Sequence, residues 1–258
     1  MFCSRFVISE TTHTHTHTRG TNMHNSIVIY RGPSLIDGSP IICVLSGLVR
    51  KSKNPKTSDE LQTYIIREDI HPAMAAATGK DSAICGDCTH RPSNGGTCYV
   101  TDLYKAPGSI WRAFHRGSYT VATDHELKAI KDSGVPIRAG SYGDPAAIPL
   151  HVWQTLGVAT GYSHQWRNAT GLKAFLMASV DNEQEANEAK QEGWRYFRVR
   201  PVGAPLLAGE INCPSNKGVT CNNCLLCGGL QRNAKNISIE AHGSKAKRFT
   251  GRRLEVLA

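Results

Sequence analysis

The sequence predicts an α/β protein, either a partial (β/α) barrel or a parallel sheet, entered through an N-terminal β-rich segment. Two observations predict it. Residues 26–68 carry short runs rich in Ile, Val and Tyr, separated by turn chemistry. From residue 108 onward the period changes, and strand-like runs alternate with helical stretches of about 10–15 residues, the pattern of βαβ units. The 258 residues are ample chain to bury a core.

Residues 1–25 read as a disordered tail, because THTHTHT is a polar alternation and apolar periodicity begins only at SIVIYRG. Met23 is therefore an alternative start to Met1, and His13, His15 and His17 receive no function. SIVIYRG, SPIICVLSG and LQTYIIRE are strands, with GPSLIDG and KSKNPKTSD as turns between them. HPAMAAATG is a short helix closed by Gly79. ICGDCTHRPSNGGTCYV, which holds the first cysteine loop at 85–98, is broken by Gly86, Pro92, Gly95 and Gly96.

GSIWRAFHRG and DHELKAIKDS have helical spacing, the second capped by Thr123 or Asp124. VPIRAGSYGD is a strand running into a glycine turn, and PLHVWQTLG a helix with Pro149 in its first turn. TGYSHQW and KAFLMASV are strands, the first setting His164 and Trp166 on one face. DNEQEANEAKQEG is a helix whose acidic residues form a solvated face, ended at Gly193. WRYFRVRP, LLAGEIN and ISIEAHG are strands. The α/β domain is placed at 26–236, with a closing strand and basic tail over 237–258.

Thirty Lys and Arg against 21 Asp and Glu leave a net charge of +9. That balance favours an anionic partner, nucleic acid or a nucleotide first. No apolar run reaches the roughly 18 residues of a membrane span, and no signal-peptide core is visible, so a soluble cytoplasmic protein with no membrane partner is expected.

Seven of the nine cysteines fall in two groups. An odd count in an intracellular chain argues for ligands over a disulfide framework. Cys43 lies in an apolar strand and reads as a buried inert thiol. Cys213, Cys221, Cys224 and Cys227 form C-P-x6-C-x2-C-x2-C, a complete closed set for an iron–sulfur cluster (4Fe–4S) or for zinc. The tight triple spacing suits a cube whose irons each take one sulfur. Cys85, Cys88 and Cys98 are either three ligands of a cluster with one open iron, or with His90 a Cys3His zinc site. Downstream, the glycines of VPIRAGSYGDP permit close backbone approach at a strand's carboxyl end, where open α/β sheets bind ligands. Arg138, Asp144 and His164 are the candidate catalytic residues there.

The marks RGPSLIDG, ICGDCTHR…CYV, GYSHQW and EINCPSNKGVTCNNCLLCGG resemble a family of cysteine-rich bacteriophage proteins that brings no assigned activity with it. More distantly, the chain is similar to radical S-adenosylmethionine enzymes, iron–sulfur proteins with a partial (β/α) barrel. The bacteriophage resemblance implies a host-cell cytoplasmic location, and the more distant one a three-cysteine cluster near the start of the barrel. The more distant one also implies a second cluster near the C-terminus, and S-adenosylmethionine held at Gly140, Gly143 and Asp144. The loop here is C-x2-C-x9-C where that family has C-x3-C-x2-C.

Two functions are expected of such a chain. One is an iron–sulfur, radical-type enzyme acting on nucleic acid or nucleotides. The other is a zinc-stabilised, non-catalytic protein that binds nucleic acid or protein, using Lys245, Lys247, Arg248, Arg252 and Arg253 on phosphates. A hydrolase lacks its motifs here, with neither G-x-S-x-G nor H-E-x-x-H.

Overall fold

The computed structural model describes residues 24–50, 54, 56–57, 59–94, 96–98, 100 and 106–250. The THTHTHT tract, Cys3, Met23, Arg252 and Arg253 lie outside the described residues.

The N-terminal runs form β1 (Ser26–Pro33), β2 (Pro40–Ser46) and β3 (Leu61–Arg67), an antiparallel meander. Their Ile, Val and Leu side chains are buried on both faces, and Cys43 in β2 is fully buried among them. A fourth strand, β4 (Ile137–Tyr142), joins β3 in parallel and completes a mixed four-stranded sheet. Between them lie α1 (Pro72–Ala77), α2 (Ser82–Cys85), α3 (Ala106–His115) and α4 (Asp124–Asp132). Thr123 and Glu126 close a reciprocal capping box at the start of α4.

The second sheet is wholly parallel, in the order β5-β6-β7-β9-β8. Its strands are β5 (Tyr162–Ser163), β6 (Met177–Val180), β7 (Tyr196–Arg200), β8 (Glu210–Asn212) and β9 (Asn236–Glu240). The closing strand therefore lies between β7 and β8, inside the α/β body. Helix α5 (Leu150–Leu156) leads into β5, and α6 (Glu183–Gln191) crosses from β6 to β7 with Asn182 as its cap. A parallel bridge, Arg138 to Thr160, joins the two sheets at β4.

The α/β expectation holds, and no barrel closes among the described strands. TGYSHQW is shorter in strand than expected: β5 ends at Ser163, and Trp166 opens a 3-10 turn and is fully buried. His164 and Trp166 thus do not share a strand face. KAFLMASV likewise splits into a 3-10 turn, Thr170–Ala174, and the four residues of β6. No helix of the described residues is long and apolar enough to cross a membrane.

Candidate metal centres at opposite ends of one sheet face

Side chains alternate along a strand, so Tyr162, Met177, Ser179, Phe197, Val199, Ile237 and Ile239 share one face of the parallel sheet. Tyr162 and Phe197 stack on it, ring centres 4.6 Å apart. The two cysteine groups border this face at its two ends.

Beside the starts of β5 and β9 and the end of β8, Cys213, Cys221, Cys224 and Cys227 line one cavity together with Arg138, Thr160 and Ile237. Gly161 N donates to the Cys227 carbonyl at 3.2 Å, and a side chain on Gly228 would stand 2.7 Å from the Ala159 carbonyl. The loop is therefore pressed against the start of β5. Arg195 fastens it from behind, its guanidinium donating to the carbonyls of Leu226, Gly229, Ala234 and Lys235 at 2.6–2.9 Å. Burial raises the Cys221 and Cys227 thiols, Cys227 to about 12, and the Arg138 guanidinium pulls both the other way. Burial disfavours the charge on Arg138, yet Tyr162, Glu60 and the two thiols hold its pKa above the ordinary value. Arg138, a catalytic candidate from the sequence, is thus the half-buried cation beside this second cysteine group.

At the carboxyl end, α2 delivers Cys85, and the loop beyond it brings Cys88 and Cys98 within electrostatic reach. Burial raises Cys85 and Cys98, and the neighbouring sulfurs add to the rise. Arg91 fastens this loop, donating to the Gly86 carbonyl at 3.0 Å, the Gly79 carbonyl at 2.5 Å and Asp81 at 2.7 Å. The Tyr142 hydroxyl, buried at the end of β4 and influenced by Cys85 and Cys98, has no hydrogen-bond partner. An orphaned hydroxyl beside two thiols fits a group that would accept from it there.

His164 follows β5 and turns its Nε2 to the Cys88 sulfur at 3.9 Å and to the Ser179 hydroxyl at 3.2 Å. Asp181 follows β6 and is buried, with His90 Nε2 at 3.0 Å and His164 Nε2 at 3.6 Å. Thr89 also donates to Asp181. Burial works against a charged His164, but Cys88 and Asp181 raise its pKa well above the ordinary value. Burial likewise opposes ionised Asp181, and the two histidines overcome it and lower its pKa.

Compared with known proteins, the chain matches no family model, no curated protein and no solved structure.

The candidate cofactor cradle has structural work of its own. Asp144 Oδ1 accepts from Ser163 at 2.6 Å and Ala146 N at 2.9 Å, and Oδ2 from His164 N at 2.7 Å. It therefore ties the end of β4 to the end of β5, and burial raises its pKa. Gly143 has φ +80°, and a Cβ there would stand 2.8 Å from the Ile65 carbonyl; Gly140 has φ +67° and faces Gly143 and Pro145. Backbone packing accounts for both glycines.

Asp181 escaped the sequence reading, which gave it to the solvated face of α6. Asp181 and Glu185 are in fact buried. The available signal was position: an acid ending an apolar run, one residue before a helix cap, falls at a carboxyl strand end. Arg91 and Arg195 carry no such signal.

Proposed function

We propose that this chain is an iron–sulfur metalloenzyme with two cysteine-ligated centres, a closed one on Cys213, Cys221, Cys224 and Cys227 and an open one on Cys85, Cys88 and Cys98. The observation that carries it is the convergence of four cysteines on one cavity beside a half-buried guanidinium. A thiolate set is anionic, and a partly buried anion gains from a fixed counter-charge beside it. Arg138 supplies it.

The C-x2-C-x2-C spacing of Cys221, Cys224 and Cys227 along the sequence supports a cluster over a single ion, because it suits a cube whose irons each take one sulfur. One observation favours zinc as the second reading: the cavity's room is about 20 Å³, the size of a single water or ion. Zinc would make the loops structural and the protein a binding module.

A bound cluster supplies one-electron chemistry, and its open iron a place for a ligand. The residues of this chain divide the remaining work. Arg91 and Arg195 hold the two loops, Arg138 balances charge, and the carboxyl-end groups His90, His164 and Asp181 face whatever binds beside Cys88. The net charge of +9 suits an anionic substrate, and nucleic acid or a nucleotide is the class proposed. Asp144, with both oxygens occupied, lends no support to a cofactor cradle, so S-adenosylmethionine enters as the first ligand to test by calorimetry.

The deciding experiment is iron, zinc and acid-labile sulfide analysis after anaerobic purification. About eight iron and eight sulfide per chain are expected for two cubane clusters. Cys224→Ser and Cys85→Ser should each lose about half. About two zinc and no sulfide would replace this reading with the zinc one.

A further inference from the structure

Beyond the cysteine centres, we infer that His90, His164 and Asp181 form a separate mononuclear site for a divalent first-row metal ion, with open positions toward solvent. Their ligand atoms, two imidazole nitrogens and a carboxylate oxygen, all lie within 4.8 Å of one another. No other such trio of His, Cys, Asp or Glu occurs among the described residues. Two histidines and one carboxylate are the donor set of facial-triad sites, which leave coordination positions free for substrate.

Three features argue for a cation rather than a hydrogen-bonded network. First, three polar atoms crowd His164 Nε2, the Ser179 hydroxyl at 3.2 Å, the Asp181 carboxylate at 3.6 Å and the Cys88 sulfur at 3.9 Å, and the ring has at most one proton there. One proton serves one of these acceptors, whereas a metal ion draws on every lone pair. Second, His90 is oriented as a ligand. Its Nδ1 is engaged by the Thr97 hydroxyl at 2.6 Å, which leaves Nε2 aimed at Asp181. Such an outer partner fixes ring and tautomer in metal sites. Third, the trio comes from three segments that meet only in the fold: the first cysteine loop and the carboxyl ends of β5 and β6. Open α/β sheets bind ligands at such ends. The Asp181 side chain is 2% exposed while His90 and His164 are 14% and 18% exposed, so the carboxylate anchors the site and the imidazoles border solvent.

The ion would sit beside Cys88 on the substrate side of the first cysteine group. Its role there is that of a Lewis acid for an anionic substrate, phosphate oxygens being the matching class. No residue of the trio is needed for the seven-cysteine reading, so each reading can fail alone.

The test uses Mn2+, which prefers nitrogen and oxygen donors and avoids thiolates. Anaerobically purified full-length protein is dialysed against EDTA and titrated with Mn2+, and free Mn2+ is read by electron paramagnetic resonance. One Mn2+ per chain is expected. His164→Ala and Asp181→Asn should weaken binding by more than about 100-fold, since even an outer partner is worth about 10–100-fold. Thr97→Val should weaken it about 10-fold. Cys224→Ser should bind as wild type, whatever its iron content. Because Asp181→Asn removes a buried charge, each variant is first checked by circular dichroism. A readout on unaltered protein stands beside the variants: two histidine ring signals should broaden at substoichiometric Mn2+. No uptake by wild type would make the trio an ion-pair network only and overturn the proposal. Uptake that survives both ligand variants would overturn it equally.

Discussion

Arg138 donates from Nη2 to the Tyr162 hydroxyl at 2.7 Å, and the same guanidinium lies 5.1 Å from the centre of that ring. This pair is the hinge between the two ends of the sheet face. Arg138 looks back to the four-cysteine cavity, and two residues beyond Tyr162 the His164 ring reaches Cys88. Only Ser163 stands between Tyr162 and His164 in the chain. The two cysteine groups are thus neighbours through a single short strand.

Replacing Arg138 tests its charge role. Arg138→Met strands the Tyr162 hydroxyl and removes the cation near Glu60, so a loss of about 2–3 kcal/mol in urea denaturation is expected. With a cluster in the second group, removal of a nearby positive charge also disfavours the reduced state, and its potential should move to more negative values. Arg138→Lys should recover most of the potential but not the stability, because ammonium lacks the planar fork. Equal potentials in Met and Lys variants would remove the electrostatic role.

Arg195 holds four backbone carbonyls in and just beyond the second cysteine loop. Arg195→Ala leaves those acceptors without their donor. A cost of about 3–4 kcal/mol is expected, and metal should leave the second group before the first. Cys224→Ser measured beside it separates loss of a ligand from loss of the clamp. Retention of full metal content and midpoint in Arg195→Ala would show that the loop is held by its own ligands alone.

These arginines also show where sequence reading stops. The local signals were legible: the Thr123–Glu126 capping box, the Asn182 cap, the Ile- and Val-rich meander, and the spacing of the seven cysteines. Each depends on residues a few positions apart. Arg195 and its loop partners are separated by 31–40 residues, and Asp181 from His90 by 91. Nothing in either neighbourhood announces that Arg195, Arg198 and Arg200 of WRYFRVR are all buried. The same limit made β5 too long in anticipation. GYSHQW alternates as a strand would, but Asp144 captures the His164 amide at 2.7 Å and turns the chain out of the sheet.

Gly143 separates packing from ligand binding at the end of β4. Its φ is +80°, and an added Cβ would meet the Ile65 carbonyl at 2.8 Å and the Ile65 Cβ at 2.7 Å. Gly143→Ala should therefore cost about 2–4 kcal/mol with no ligand present. Gly193→Ala, also at positive φ but with open space around it, should cost about 1 kcal/mol. Equal, small losses would return Gly143 to the list of residues kept for a cofactor.

Glu60 provides a pH test away from the cysteines. Its side chain is buried, Oε1 accepts from Thr160 at 2.5 Å, and Oε2 has no partner. Burial raises its pKa above the ordinary 4.5, and Arg138 and Thr160 only partly offset that rise. Between 4.5 and the higher folded value, the native state keeps a proton that the unfolded chain has released. Stability must then fall as pH climbs through that window and stay lower above it. Glu60→Gln keeps an oxygen for Thr160 and has no proton to lose. The urea midpoints of wild type and Glu60→Gln, compared from about pH 4 to 7, should therefore diverge in the variant's favour as pH rises. Parallel curves would mean that Arg138 fully compensates the Glu60 carboxylate in the folded protein.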